Sequence, residues 1–275
     1  MELAIVSDEI SLDFREAVDH GLEWGVENYE ICNLKSGRVP YVNADEIDSI
    51  LDVIDAYEVK VSAISPGLFK ISMRDEEQLK QQLEEKIYDS FRFAEKVGTR
   101  DVIIHSFKRY ADEPASDYMQ IVHILGRMAT LAEKYGFRLL LENEIGYWCD
   151  TGDNTSRVLE DINSRALRAN WDPGNAFAAG EIPYPYGYLA VRKFISNIHI
   201  KDARQSPSRD VEWVSVGLGE IDWMGQLQAI RNGLDVRYLT VETQCQPLLE
   251  CSRRNVDRIH NLMYEYLMND NYMIR

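Results

Sequence analysis

The stretch "RLLLENE", residues 138–144, decides how the rest of the chain is read. Three leucines run straight into Glu142, Asn143 and Glu144. An apolar run of this length normally continues into more apolar residues or stops at a turn residue. A buried strand ending on two carboxylates, with one amide between them, points instead to a polar site at the strand's far end. That reading gains force if other strands end the same way.

Working outward, short β-forming runs recur along the whole chain: "LAIVS" (3–7), "NYEIC" (28–32), "KVSAIS" (60–65), "DVIIHS" (101–106), "RLLLEN" (138–143), "ALRANWD" (166–172), "NIHIKD" (197–202) and "YLTVET" (238–243). Their starts lie about 25 to 41 residues apart, the length of a strand plus a crossover helix. Helical patterns lie between them. "SLDFREAVDHGLEWG" opens on Ser11 as a cap and stops at Gly25; residues 74–98 and 116–136 close on Gly98 and Gly136; a last pattern starts at Leu248. Nearly continuous apolar strands alternating with helices predict parallel strands buried on both faces. Eight such units predict a closed (β/α)8 TIM barrel, an α/β fold, as a single domain over residues 1–275. The rival doubly wound sheet lacks its glycine-rich phosphate loop after the first strand.

Composition narrows the function. The chain of 275 residues holds 46 Asp+Glu against 30 Lys+Arg, a net charge of −16 that repels phosphate backbones and anionic lipid. No nucleic-acid or membrane partner is therefore expected, and a small neutral or metal-bound ligand suits the charge better. The four cysteines form no CxxC pair, and the N-terminus lacks a basic segment before its short apolar run. A reduced, cytoplasmic location is the expectation.

In a barrel of this kind the chemistry collects where strands end at the C-terminal mouth. The fourth run delivers His105 there, the fifth Glu142, the sixth Asp172, the seventh His199 and the eighth Glu242. Singly, each reads as an ordinary loop hydrogen-bonder. Together, several carboxylates buried at one mouth are costly without a compensating cation. Glu142, Asp172, His199 and Glu242 are the predicted ligands of one divalent metal ion. Three carboxylates and an imidazole suit Mn²⁺ or Mg²⁺, with Co²⁺ or Zn²⁺ also compatible. Lys201 is read either as a substrate contact or as a surface salt bridge, and Glu144 as a loop acid or an outer partner of the site. Asp202 is expected to hold a neighbouring lysine or a ligand histidine in place.

The ordered set "LLLENE", "NWDPGNAFAAGE", "NIHIKD", "GLGEIDW" and "LTVET" resembles the xylose isomerase-like TIM barrels, specifically the sugar phosphate isomerase/epimerase group. The resemblance runs over almost the whole chain. It implies one divalent metal held by Glu142, Asp172, His199 and Glu242, a small-molecule sugar substrate and a homo-oligomer. It also implies that the loop of Gly217, Gly219 and Asp222 approaches the site closely, with Asp222 read as a helix cap. Many members carry a histidine three residues after the sixth-strand Asp, where it contacts substrate; this chain has Asn175, which hydrogen-bonds but moves no proton.

The expected activity is a metal-dependent isomerase or epimerase acting on a ketose or related keto-polyol. A polarised carbonyl acidifies the neighbouring C–H, and Glu142 and Glu242 act as the acid/base pair around the resulting enediolate. Predicted substrate contacts are His105, Asn175, Lys201, Arg204, Trp148 and Trp213. The alternatives are an inosose-type dehydratase on the same residues and a sugar-binding barrel without catalysis. A DNA-cutting endonuclease of this architecture needs further histidines, whereas His20, His123 and His260 all fall in helical patterns.

Overall fold

The computed structural model describes residues 1–233 and 236–273; the expected domain of 1–275 also takes in 234–235 and 274–275, which lie outside them. Eight strands close into one barrel: β1 (Glu2–Val6), β2 (Asn28–Ile31), β3 (Lys60–Leu68), β4 (Asp101–Ile104), β5 (Arg138–Glu142), β6 (Leu167–Trp171), β7 (Ile195–Ile200) and β8 (Tyr238–Val241). Each pairs in parallel with its sequence neighbour, and β8 closes on β1 through Leu3↔Leu239 and Ile5↔Val241. All eight strands read from sequence are present, and the chain is a single (β/α)8 TIM barrel. No helix among the described residues is long and apolar enough to cross a membrane.

The ends differ from the sequence reading by a residue or more. β4 stops at Ile104, β6 at Trp171 and β8 at Val241, so His105, Asp172 and Glu242 each stand just past their ladder. The ladder ends where the chain turns out over the mouth, and the polar residue sits on that turn. β3 runs on to Leu68 with a shifted register between Ile64 and Leu68.

Helices cover the outside, among them Phe14–Glu23, Ala44–Tyr57, Asp117–Tyr135, Gly152–Ile162, Trp223–Gly233 and Leu248–Met273. The first is capped by Asp13, not Ser11: the Asp13 carboxylate accepts from the backbone N–H of Arg15 at 3.0 Å and of Glu16 at 3.2 Å. Ser11 instead accepts from the Asp13 N–H through its Oγ and donates to Glu16. The helix expected over 74–98 is interrupted by a π-helical turn at Gln82–Lys86. Two short hairpins ride on the mouth, one pairing 33–34 with 37–38, the other 202–205 with 211–214.

Strand alternation explains the interior. Outward residues such as Leu139, Leu141, Ile198 and Ile200 join the main apolar core beneath the helices. Ala63, Ile103 and Leu140 form a separate small apolar cluster inside the barrel. Above it, the inward set turns polar: Asn170, Asn197 and Thr240 are fully or nearly buried and hydrogen-bond across three strands. Period-two alternation then carries the next inward positions, Asp172, His199 and Glu242, up to the mouth.

Candidate active site

Glu142, Asp172, His199 and Glu242 each offer one donor atom, and these atoms all lie within 4.8 Å of one another. His199 is the centre. Its Nε2 lies 2.9 Å from Glu30 Oε2, while its Nδ1 lies 3.6 Å from Glu142 Oε1 and 3.3 Å from Glu242 Oε2. With Nε2 turned to Glu30, Nδ1 is the ring nitrogen aimed between the two glutamates. Nδ1 is buried and has no hydrogen-bond partner among the described residues. An orphaned imidazole nitrogen among three carboxylates is a donor set that fits a divalent cation.

Asn143 answers the question that "RLLLENE" raises. Its Oδ1 accepts from the Asp172 N–H at 2.8 Å and its Nδ2 donates to the Asp172 carbonyl at 2.7 Å. The amide between the two carboxylates thus clamps the backbone of the next strand where its ladder has run out. Asp172 in turn caps the helix Pro173–Ala178, accepting from the Asn175 N–H at 2.8 Å. Asn175 returns its Nδ2 to the Asn143 carbonyl at 3.0 Å and reaches Glu142 Oε1 at 3.4 Å.

Lys201 is no surface residue. It is 1% exposed, and its Nζ lies 2.8 Å from Asp172 Oδ2 and 2.6 Å from Glu242 Oε2. The charges are strongly interlocked. Burial pushes the Glu242 carboxyl up, but Lys201 and His199 together hold it well below the usual range. Glu142 is drawn down to about 2, burial being outweighed by His199. Asp172 rises to about 6 because burial outweighs the pull of Lys201. His199 and Lys201 are raised well above their ordinary values, burial being overcome by the surrounding carboxylates. The ring of acids calls for positive charge at its middle.

Beside this cluster, His105 is fully buried, with Nδ1 3.1 Å from Glu144 Oε2 and its ring 5.7 Å from that of Tyr147. Burial, then Lys70, lowers its pKa. Glu144 also faces Lys70 Nζ at 2.9 Å, so it is neither a free loop acid nor a member of the group of four. Trp213, on the return arm of the second hairpin, lies with its ring centroid 5.3 Å from Lys201 Nζ.

Three expectations are corrected. Arg204 does not enter the mouth: the hairpin register sets it opposite Glu212, and the two exposed side chains pair at 2.9 Å. Trp148 is tucked into a cleft with Arg109, Tyr118 and Arg157, its Nε1 donating to Glu113 and its ring covered by the Arg109 guanidinium at 4.7 Å. Asp202 holds neither a lysine nor a ligand histidine. Its carboxylate gathers the backbone N–H groups of Gly217, Gly219 and Ile221, pinning the glycine loop. Asp222 caps the next helix through the Gly225 N–H at 2.8 Å.

Glu30 escapes a reading of the sequence. It is 1% exposed on β2 and reaches His199 across the barrel. Its signal lies in "NYEIC", where a carboxylate interrupts an otherwise buried strand.

The family model for the xylose isomerase-like TIM barrel matches residues 14–261, and the chain belongs to that family. No curated protein matches the sequence significantly. Among solved structures, L-ribulose 3-epimerase superposes with a TM-score of 0.78 at 17% identity, over 99% of this chain and 98% of that one. The IOLI protein with a bound zinc atom gives 0.78 at 17% identity, over 97% and 99% of the two chains. A probable 3-DHS dehydratase, AsbF from Bacillus anthracis, gives 0.74 at 16% identity, over 94% and 99%. At these identities the likeness is one of fold.

Proposed function

We propose that the protein is a metal-dependent sugar isomerase or epimerase that moves a proton at the carbon next to a ketose carbonyl. The observation that carries this reading is the approach of Glu142 and Glu242, from β5 and β8, to His199 Nδ1 at 3.6 and 3.3 Å. Two carboxylates converging on one point from different strands suit removal of a proton on one face of a planar carbon and its return on the other.

Glu142, Asp172, His199 and Glu242 would hold the ion, Mn²⁺ or Mg²⁺ by the hardness of the donors, with Zn²⁺ or Co²⁺ compatible. When bound, a divalent ion supplies Lewis-acid polarisation of the carbonyl. The chain's own residues do the rest. Lys201 holds Glu242 ionised and pulls against the burial that raises Asp172, and Asn175 steadies Glu142 by hydrogen bonding without taking part in proton transfer. His105, whose pKa burial lowers and whose Nδ1 lies 3.1 Å from Glu144 Oε2, would meet a substrate hydroxyl. The Trp213 ring over Lys201 offers an apolar wall against which a sugar carbon chain would lie.

The test is a panel of ketoses, keto-polyols and their derivatives, incubated with Mn²⁺-loaded protein in D₂O. Deuterium uptake at a single carbon next to the carbonyl, abolished in Glu142→Gln and Glu242→Gln, supports the reading. Loss of water in place of exchange turns the assignment to a dehydratase on the same residues. Neither exchange nor elimination with any member, in protein shown to bind the ion, would overturn it.

A further inference from the structure

We infer that the opposite end of the barrel holds a second site, which takes a small organic oxyanion, a phosphate or a carboxylate carried on a compact body. It lies at the strand starts, on the face away from the four clustered donors, and does not depend on the proposed reaction.

The N-terminal end of a barrel of this kind ordinarily serves stability. Here a cavity of about 580 Å³ opens there, among the starts of β3, β4, β5 and β8. Pockets of about 300–1,000 Å³ suit small-molecule ligands. Strand parity says which side chains face it from within. Thr240 of β8 bonds across the barrel interior to Asn197, so Tyr238, two residues earlier, faces inward as well. Ile103 and Leu140 belong to the small interior cluster, so Asp101 and Arg138, each two residues before, do the same. Tyr238 is only 6% exposed, yet its hydroxyl makes no hydrogen bond to any described residue. A buried phenol ordinarily finds a partner. The space left open to this one is the cavity that Tyr238 lines.

Four cationic side chains line the same cavity, Lys60, Arg100, Arg138 and Arg237, against a single carboxylate, Asp101. Arg138 grips Asp101 through Nε at 2.8 Å and Nη2 at 2.6 Å. That fork fixes the guanidinium and leaves its Nη1 uncommitted. The Arg237 guanidinium lies 4.8 Å from the centroid of the Tyr238 ring, and its Nε is 4.0 Å from Glu2 Oε1, beyond hydrogen-bond reach. Lys60, exposed at the rim, pairs with no carboxylate among the described residues. Arg100 is matched on its outer side by Glu95 at 2.9 Å. In a chain with 46 acids against 30 bases, this local excess of positive charge draws anions to one cleft. The net charge of −16 opposes a polyanion, so the fitting ligand is small. A phenol free to donate, a guanidinium edge held in place and a second guanidinium beside the ring form a receptor for a phosphate or carboxylate.

The experiment is calorimetric titration of the Mn²⁺-loaded full chain, desalted of excess ion, with glycerol 3-phosphate, succinate and neutral glycerol. It is run at about 0.15 M salt, where loose surface attraction is screened. One anion is expected to bind one-to-one with a Kd of about 1 mM or tighter while glycerol does not bind, and the stronger of the two identifies the oxyanion. Because the Tyr238 hydroxyl has no partner to lose, Tyr238→Phe is expected to keep the wild-type melting temperature and to weaken the anion about tenfold. Arg237→Met is expected to weaken it at least as much. Absence of binding by either anion up to about 10 mM overturns the inference. So does binding that keeps its wild-type strength in both variants, since the anion then lies elsewhere. A lower melting temperature in ligand-free Tyr238→Phe also counts against it, because the hydroxyl would then have a structural partner. Deuterium exchange at the mouth stands or falls separately from each of these results.

Discussion

Replacing Glu30 tests whether His199 is a prepared metal ligand or merely a buried histidine. Glu30 is 1% exposed and its Oε2 lies 2.9 Å from His199 Nε2, while Nδ1 points at Glu142 and Glu242. Glu30→Gln keeps an acceptor opposite the Nε2 proton but removes its charge. A charge-assisted hydrogen bond contributes about 1.5–3 kcal/mol, which corresponds to roughly a 10- to 150-fold change in affinity. The glutamine, still accepting, belongs at the low end, about tenfold weaker Mn²⁺ binding. Glu30→Leu leaves the Nε2 proton facing an apolar side chain and frees the ring to turn toward the Asn170 amide, 3.1 Å from the same nitrogen. Its loss should approach about 100-fold, the upper range seen when such outer partners of metal ligands are removed. Isothermal titration of chelator-treated protein with Mn²⁺ reads the affinity, and circular dichroism confirms that each variant is folded. Wild-type affinity in a folded Glu30→Leu variant would refute the reasoning: Nδ1 would then not depend on Glu30 for its direction.

Lys201→Met removes the cation between Asp172 and Glu242 and should destabilise chelator-treated protein by about 3–5 kcal/mol, read from urea unfolding; Mn²⁺ should restore part of the loss. An unchanged urea midpoint would show that the two carboxylates do not need it. Glu9 is raised to about 7 by burial first and Glu242 second, against the backbone N–H groups of Thr243 and Gln244. A raised folded pKa binds a proton that the unfolded chain has released. Glu9's contribution to stability is therefore present below its unfolded value near 4.5 and lost as pH rises to about 7, a drop on the order of 3 kcal/mol. Glu9→Gln should flatten the stability profile over that window relative to wild type, and a parallel profile would count against it. Gly219→Ala places a methyl against the Asp202 carboxylate that pins the loop and should lower the melting temperature by several degrees, whereas Gly136→Ala, with open space around its Cβ, should cost only the strain of its left-handed φ of +73°.

The barrel was legible because its cause is local. Apolar runs of β-formers at the spacing of a strand–helix unit leave few alternatives, and eight of them close the ring. The strand ends were less legible, since a residue such as His105 or Asp172 belongs equally well to the last rung of a ladder or to the turn beyond it. The four converging donors could be named from sequence because each ends or succeeds an apolar run at inward parity. What failed was everything set by contacts between distant segments. Trp148 looked like a sugar platform, and only the fold brings the Arg109 guanidinium over its face. Arg204 looked like a substrate contact, but the hairpin register gives it to Glu212. Lys201 was equivocal, because a lysine one residue past a strand shows no sign of the two carboxylates that bury it.

The late-strand side of the mouth has its charges set by the fold. Three carboxylates and an imidazole are held together by partners that are not themselves part of the group: Glu30 behind His199, Asn143 around the backbone of Asp172, Lys201 between Asp172 and Glu242. Left to relax, such a cluster would separate or protonate; the clamps hold its four donor atoms within 4.8 Å of one another.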